Sequence, residues 1–305
     1  MRRFLTNRTG VAGLLLATVI LLFVVVGPVL YERSPVALDL ANKLEAPNGQ
    51  HLLGTDQFGR DQLARLLDGG RRSLLAGAVA LLMAYAIGLI VGVTAGLAGG
   101  LGDTVLMRTV DVVLAIPGLV LSLAIVAVLG PGLPSLMIAV VGSLWAGYGR
   151  LARSMVATAN TRKDVIAARM AGLPGWRIAI GHVLPTLATQ LVIVASVELG
   201  EVLVIISGLS FLGLGVQPPL AEWGSMLGDA RLHLRSGPWL IYAPVTAIVL
   251  SVLAANLISS GLCDAADARP RLAVHRGRGP IRRLMDVCGR QAPPPPARPV
   301  DRMPV

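Results

Sequence analysis

The chain has 305 residues, of which 54% are hydrophobic and only 14% are charged. A soluble core of this size cannot bury so large an apolar fraction, so the composition excludes an ordinary soluble protein and indicates a membrane protein. The net charge of +10 comes mostly from arginines in a few polar stretches, a pattern that is typical of cytoplasmic anchoring and argues against a nucleic-acid groove.

Apolar runs near the length that crosses about 30 Å of hydrocarbon recur along the chain, and we expect an all-α integral membrane protein with about six transmembrane helices. The first run is too long for a signal peptide and has no Ala-x-Ala site after it, so we expect an uncleaved span. The fourth run is too short unless its helix continues through residues 151–152. The predicted spans are Val11–Leu30, Ser73–Leu97, Val105–Leu129, Pro134–Tyr148, Thr186–Gly208 and Pro238–Leu262.

Six spans place both termini on one side, and the arginines indicate that this side is cytoplasmic. The opposite segment, 31–72, also holds six basic residues, which runs against the rule, although Arg71 and Arg72 can snorkel at a helix end. The basic residues of the predicted cytoplasmic stretches are Arg2, Arg3, Arg8, Arg150, Arg153, Arg162, Lys163, Arg169, Arg177, Arg269, Arg271, Arg276, Arg278, Arg282 and Arg283.

A short helix is predicted just before the second span. Leu63, Leu66 and Leu67 share one helical face while Arg65 and Asp68 face elsewhere, so this helix is expected to lie at the outer membrane interface before the chain enters the bilayer at Ser73. The alternative is a packing element with no substrate role.

The polar insert between spans four and five is expected to form two short helices joined by a turn. Asp164–Ala171 suits a helix, Gly172 can take the left-handed conformation that ends it, and Pro174 suits the first turn of the next helix. Ala167 and Ala168 present little bulk, so a partner surface could approach closely. The alternative is an ordinary loop that touches no other protein.

Several charges fall within the apolar runs, where ionisable residues are functional candidates. Arg108 and Asp111 are spaced for an intrahelical pair. Glu198 and Glu201 lie in the fifth run with no basic residue near them in sequence, so they are candidates to line a transport pathway or to pair with a partner helix.

The remaining polar features suggest no catalytic or metal site. The four histidines are scattered, and Cys263 and Cys288 are too few for a disulfide framework or a zinc site. No Walker ATP-binding pattern is present. Residues 266–305 are rich in Arg and Pro, including Pro293-Pro294-Pro295-Pro296, and are expected to form a disordered tail.

The chain resembles the C-type permease subunits of the dipeptide, oligopeptide and nickel ABC importers. The insert carries their coupling-loop spacing but has Ile166 where the pattern has Glu, a contact for which Arg162 or Arg169 could substitute. Further resemblance lies in an extracytoplasmic segment and in four other motifs. The coupling-loop positions are Ile166, Ala167, Ala168, Arg169, Gly172, Trp176, Leu184 and Pro185; the segment positions are Gly54, Thr55, Asp56, Gly59, Arg60 and Asp61; and the other motifs are 115–118, 130–132, 210–219 with Trp223-Gly224, and 264–267.

This resemblance implies a type I ABC importer permease fold and a non-catalytic translocation subunit in the cell membrane. Its expected partners are a second permease, ABC ATPases, an extracytoplasmic substrate-binding protein and membrane lipid, but no nucleic acid. No cofactor is expected in this chain, because ATP and Mg²⁺ would be bound by the ATPases. The alternatives are a proton-coupled secondary transporter using Glu198 and Glu201, and a membrane-embedded enzyme. The expected divisions are 1–72, 73–265 with a coupling loop at 150–185, and 266–305.

Overall fold

The computed structural model describes residues 7–178, 180–181 and 184–267, without the side chains of Trp176 and of residues 185–193 and 265–267. The chain divides into two units, 1–265 and 266–305, and the helical architecture is that of the first. The described helices are α1 (Arg8–Leu30), α2 (Gln62–Ala98), α3 (Gly100–Leu114), α4 (Gly118–Leu129), α5 (Leu133–Asn160), α6 (Lys163–Met170), α7 (Gly175–Ile178), α8 (Leu184–Phe211), α9 (Trp223–Ala230) and α10 (Trp239–Asp267), with 3₁₀ turns at Leu40–Asn42 and Arg231–His233.

The predicted all-α membrane architecture is confirmed. Within the described residues, five helices are long and apolar enough to cross a membrane, and the number becomes six when α3 and α4 count as one bent span. The fourth predicted span, Pro134–Tyr148, is part of the longer helix α5, which continues to Asn160. The predicted tail lies almost entirely outside the described residues and stays a prediction.

The third predicted span, Val105–Leu129, is not one continuous helix. It is divided between α3 and α4, which are bent by 86° relative to each other. The break falls at residues 115–117, where Pro117 lacks an N–H to donate and disfavours helical geometry in the residue before it. The predicted span is therefore present as a bent pair of helices that breaks at the Ala-Ile-Pro-Gly motif.

The predicted interfacial helix before the second span is wrong, because residues 62–98 form one helix. Leu66, Leu67 and also Arg65 are buried, so the start of α2 packs inside the protein and does not lie along a membrane surface. The expected division between residues 72 and 73 consequently lies inside α2.

The core forms where α2 packs along α5 and α8. Small residues at every fourth position of α2 let α5 approach: a Cβ built on Gly88 would lie 2.6 Å from the Cβ of Tyr148, and one on Gly92 would lie 2.3 Å from the carbonyl oxygen of Gly149. Such close approach of backbones is how helices pack in membranes, where lipid is as apolar as the side chains. The small residues of this stripe are Ala76, Ala80, Ala84, Gly88, Gly92 and Gly96.

The long axis of α2 separates two polar regions. Segment 31–61 connects α1 to the start of α2, and the insert, residues 161–183, connects α5 to α8 and packs near the end of α2 around Leu97. From Leu66 to Leu97 the helix rises about 46 Å at 1.5 Å per residue, which exceeds the roughly 30 Å of a hydrocarbon core. The two polar regions can therefore lie on opposite sides of a membrane.

Candidate functional site

The insert folds as two short helices, α6 and α7, joined by a turn at Gly172. Gly172 has a φ of 79°, and the N–H of Leu173 donates to the carbonyl of Ala168 at 3.2 Å. A left-handed glycine that closes the last carbonyls of a helix is a common C-terminal motif. The predicted helix, turn and second helix are thus confirmed.

One face of the insert is packed and the other is exposed. Val165, Ala168 and Ile178 are buried together with Val156 and Ala159 near the end of α5. Ala168 was expected to face a partner along with Ala167, and that expectation is wrong for Ala168: its side chain anchors α6, while Ala167 is exposed.

The outward surface of the insert is apolar at its tip. Ile166 is 46% exposed, Met170 is 85% exposed and Leu173 is 36% exposed. We call these three residues the insert tip. Large aliphatic side chains exposed side by side on a polar loop are typical of an interaction surface.

The charges beside the insert tip are already engaged. Arg162 donates through two nitrogens to Asp164, each at 3.0 Å, and these hydrogen bonds hold the pKa of Asp164 below its ordinary value. Arg169 donates to the side chain of Asn160 at 3.2 Å. Leu184 begins α8, while the Trp176 and Pro185 side chains, and His182 and Val183, lie outside the described residues.

A charge cluster, of which only Asp229 is partly exposed, links segment 31–61 to α2 and α9. Asp56 accepts from Arg60 at 2.6 Å and lies 3.4 Å from Arg65. Asp229 of α9 lies 3.5 Å from Arg65 and 3.9 Å from Arg60. Burial raises the pKa of Asp229, and the charges of Arg65 and Arg60 oppose that shift. We call these four residues the outer charge cluster.

Asp61 ties the end of α1 to the start of α2. One carboxylate oxygen accepts from the N–H of Ala64 at 2.9 Å and so caps α2. The other accepts from the hydroxyl of Tyr31 at 2.8 Å and lies 2.8 Å from Nδ1 of His51. Burial and the hydrogen bond to Asp61 raise the pKa of Tyr31 to about 12.

The other predicted positions of this segment shape its backbone. Thr55 donates to the carbonyl of Asn42 and accepts from the N–H of Glu45. Gly54 and Gly59 have φ values of 74° and 73°. A Cβ on Gly59 would lie 1.7 Å from the carbonyl oxygen of Asp39, so no larger residue fits there without moving the chain. All six predicted positions thus meet in one folded segment.

Glu222, which sequence reasoning missed, fixes α9 to α2. Its fully buried carboxylate accepts from the N–H groups of Gly224 and Ser225 and from the hydroxyl of Ser73, each at 3.0 Å. The sequence signal is weak, because the usual capping box has Ser or Thr at the N-cap and Glu three residues later, and here the two residue types are reversed. The neighbouring Trp223 is also buried and donates its indole N–H to the carbonyl of Leu66 at 2.9 Å.

The intramembrane carboxylates occupy two different environments. Glu198 is half-buried and accepts from the hydroxyl of Tyr148 at 3.1 Å, and the Tyr148 ring stacks on Tyr85 with centroids 4.0 Å apart. Glu201 is exposed on α8 in line with Val197 and Val204. Within one chain, then, Glu198 has a partner on α5, whereas Glu201 points away from the core.

The predicted pair of Arg108 and Asp111 does not form. Asp111 instead accepts from Arg150 of α5 at 2.7 Å, because α5 continues beyond the predicted end of its span and brings its arginines alongside α3. Arg153 likewise donates to Asp103 at 2.5 and 2.7 Å. Within the described part of the chain, no group of three or more His, Cys, Asp or Glu residues could hold a metal ion.

Two family models match separate parts of the chain. Residues 88–272 match the family model described as binding-protein-dependent transport system inner membrane component, and residues 1–47 match that of the N-terminal transmembrane domain of oligopeptide transport permease C.

Three curated relatives match most of the chain. A dipeptide transport system permease of Alkalihalophilus pseudofirmus is 36% identical over 86% of this chain and 86% of its own length. A nickel transport system permease of Escherichia coli is 37% identical over 88% of this chain and 97% of its own length. A di/tripeptide transport system permease of Pseudomonas aeruginosa is 37% identical over 87% of this chain and 90% of its own length.

Proposed function

Because the chain belongs to the family of binding-protein-dependent transport system inner membrane components, as a multi-pass, non-catalytic ABC permease subunit, we propose that it forms half of an importer pathway for dipeptides or oligopeptides. A homologous second permease would supply the other half. Separate ATPase subunits, which bind ATP and Mg²⁺, would drive transport, and an extracytoplasmic binding protein would deliver the cargo.

Peptide cargo is supported by the oligopeptide-type match at the N-terminus and by relatives whose names specify dipeptides and di/tripeptides. The nickel permease of Escherichia coli is equally similar, so uptake of a dipeptide and of Ni²⁺ by the same transporter distinguishes the two cargoes. Nickel uptake without peptide uptake would replace this part of the proposal.

In the proposed orientation, the insert and both termini are cytoplasmic. Segment 31–72 holds six basic residues, but three of them are neutralised locally: Arg60 and Arg65 belong to the outer charge cluster, and Arg72 pairs with Asp68. Acidic partners count little in the positive-inside rule, so these pairs do not cancel the discrepancy. The proposed orientation rests on the larger number of basic residues in the other polar stretches.

The observation that carries the coupling proposal is the two-sided structure of the insert. Its exposed tip offers Ile166, Met170 and Leu173 to a partner, while Val165 and Ala168 bind it to the end of α5. A partner that pushes on the tip would therefore move α5, and through its small-residue contacts α2 as well. ATP-driven closure of the ATPases would in this way open the spans outward for cargo.

The proposal is tested with the complete transporter reconstituted in vesicles. We expect an ATPase to copurify with this chain and uptake of L-alanyl-L-alanine to require both ATP and the binding protein. A Glu198→Gln, Glu201→Gln double variant keeps hydrogen-bonding capacity and should retain ATP-dependent uptake. Protonophore-sensitive uptake without any ATPase would show instead that the chain is a secondary carrier.

The orientation has a separate test in a Cys263→Ser, Cys288→Ser background. A cysteine at Gly172 should resist a membrane-impermeant thiol reagent added outside intact cells, whereas one at Asn48, in the exposed loop of segment 31–61, should react. Labelling of the Gly172 position from outside would reverse the assigned sides.

A further inference from the structure

An apolar groove of about 530 Å³ lies between α1 and α10. The two helices meet below it, where a Cβ built on Gly13 of α1 would lie 2.6 Å from the backbone of α10. Farther along, α1 packs on α2 instead, and a Cβ on Gly27 would lie 2.5 Å from the side chain of Leu67. The groove occupies the gap between these two contacts, and the buried side chains of Leu66 and Trp223 form its floor.

The groove is lined by hydrocarbon. None of the described residues that line it is charged, and the hydroxyls of Tyr242 and Thr246 are the only side-chain oxygens among them. The indole N–H groups of Trp223 and Trp239 already donate to backbone carbonyls, at 2.9 and 3.2 Å. A polar ligand would lose its hydrogen bonds to water here and find few in exchange. The groove therefore favours an occupant that is itself hydrocarbon.

The groove also has the length of one half of a membrane. Its α10 wall runs from Trp239 to Leu250, which is about 16 Å at 1.5 Å per residue, and half of a hydrocarbon core is about 15 Å. Trp239 and Tyr242 stand at the end nearer segment 31–61, and such aromatic residues are enriched at the boundary between membrane and water. The groove thus runs from that boundary toward the middle of the membrane, as an acyl chain of a phospholipid does.

We propose that this groove binds one acyl chain of a phospholipid from the membrane half nearer segment 31–61. The acyl chain contacts α1 through Val19 and Phe23, α10 through Thr246 and Leu250, and the floor between them. Contacts on three sides give it more dispersion attraction than a wall on one side would. By filling the gap between the two contacts of α1, the acyl chain stabilises the position of this helix. The lipid is neither cargo nor a coupling partner, so the inference does not depend on the proposed function.

The bound lipid is counted by native mass spectrometry of the complete transporter in a mild detergent. Thr246→Phe adds a ring at an exposed position that lines the groove, and Val249→Phe makes the matched change at an exposed position of α10 that does not line it. We expect the Thr246→Phe transporter to retain one phospholipid fewer than the Val249→Phe transporter and the unchanged one. Equal retention in the two variants would overturn the proposal.

A second measurement locates the acyl chain without changing the groove. In a Trp145→Phe, Trp176→Phe background the two remaining tryptophans, Trp223 and Trp239, both line the groove. This full-length chain is reconstituted with phosphatidylcholine that carries bromine in its acyl chains, extracted into mild detergent and separated from free lipid. Because bromine quenches tryptophan on contact, fluorescence should stay below that of the same chain prepared with unbrominated lipid. Complete recovery once free lipid is removed would show that no acyl chain is held.

A cross-linking experiment distinguishes lipid from a neighbouring membrane protein. Thr246→Cys in the Cys263→Ser, Cys288→Ser background is labelled with a photoactivatable thiol reagent in the complete, membrane-embedded transporter. We expect illumination to produce adducts with phospholipid. Adducts with the second permease would show that a protein covers the groove and would overturn the proposal. None of these experiments measures uptake, so their failure leaves the import function standing, and uptake without an ATPase would leave the lipid site standing.

Discussion

The two ends of α2 hold their polar regions in opposite ways. At the first end, Asp56, Arg60 and Arg65 are almost completely buried, and Asp229 supplies the second acid that balances the two arginines. At the other end, Met170 of the insert tip is 85% exposed and its neighbouring charges pair at the surface. In the first region the charges find their partners within the chain, whereas the second offers an apolar surface that a different protein would cover.

This difference indicates that the buried charges at the first end stabilise the fold, whereas the exposed insert serves coupling to a partner. Charges that are buried and mutually satisfied fix one geometry, because any displacement leaves a charge without its partner. An exposed tip with a glycine turn can meet a partner and transmit its motion without unfolding the core. We therefore expect substitutions at the first end to affect stability and substitutions at the insert to affect coupling.

The largest effect on stability is expected from Asp56→Asn. The change leaves Arg60 and Arg65 buried beside each other without their shared carboxylate, and removing one partner from a buried ion pair typically costs about 3–5 kcal/mol. The free energy of unfolding in detergent should fall by that order. Arg71→Gln, at an exposed position of the same helix, is the control and should change it by less than about 0.5 kcal/mol.

An unchanged free energy of unfolding in Asp56→Asn would show that the outer charge cluster does not stabilise segment 31–61. The contrast between the two ends of α2 would then be wrong. Loss of uptake without loss of stability would give this cluster a transport role instead.

The largest effect on coupling is expected from Gly172→Asp. The φ of 79° is strained for any residue with a side chain, and a new carboxylate would meet the partner surface unpaired. The variant should insert into the membrane and copurify poorly with the ATPase, and its ATP-dependent uptake should be abolished. Gly172→Ala carries the backbone strain without the charge and should keep part of the uptake, since nothing lies within 4 Å of the added Cβ.

The insert was the region best predicted from sequence, and the reason is local. The helix between Arg162 and Ala171 is set by residues close together in sequence, and so is the turn at Gly172 and Pro174 that ends it. The turn could therefore be predicted. The outer charge cluster could not be, because Arg65 finds Asp229 more than 160 positions along the chain. A helical-face argument placed Arg65 toward water, whereas a distant acid allows its burial.

The same limit explains the errors within the membrane. The bend after α3 had a visible cause in Pro117, but its size depends on how α4 packs against α5. Asp111 was assigned to Arg108 because they are close in sequence, yet the extension of α5 to Asn160 supplied Arg150. Apolar run length predicted about how many membrane spans exist, and it did not predict which helix packs against which.

A smaller effect is expected from Met170→Asp at the insert tip. Covering an exposed methionine with a partner contributes on the order of 2 kcal/mol, so this variant should bind the ATPase about thirtyfold more weakly. Met170→Leu preserves the apolar area and should bind normally. Because the tip is apolar, the affinity of the unchanged chain should depend little on ionic strength. A steep loss of affinity with salt would show that Arg162 or Arg169 dominates docking.

The smallest effect is expected from Tyr31→Phe, and it depends on pH. The hydroxyl of Tyr31 donates to Asp61 at 2.8 Å, and loss of one such bond costs about 1 kcal/mol.

In the folded protein the pKa of Tyr31 is raised from 10.0 to about 12. Between these two values the phenol keeps its proton in the folded protein, whereas the unfolded chain has already lost it. The stabilisation is therefore complete below the unfolded value of 10.0 and is lost as the pH rises through about 12. Unfolding temperatures are measured in an alkali-stable detergent. Near neutral pH the Tyr31→Phe variant should unfold at a lower temperature than the unchanged chain. This gap between the two unfolding temperatures should close as the pH rises from 10.0 to about 12. Tyr242→Phe, at an exposed position of α10, should show no gap at any pH, and a Tyr31→Phe gap that persists above about pH 12 would mean that the contact to Asp61 is not what stabilises this end.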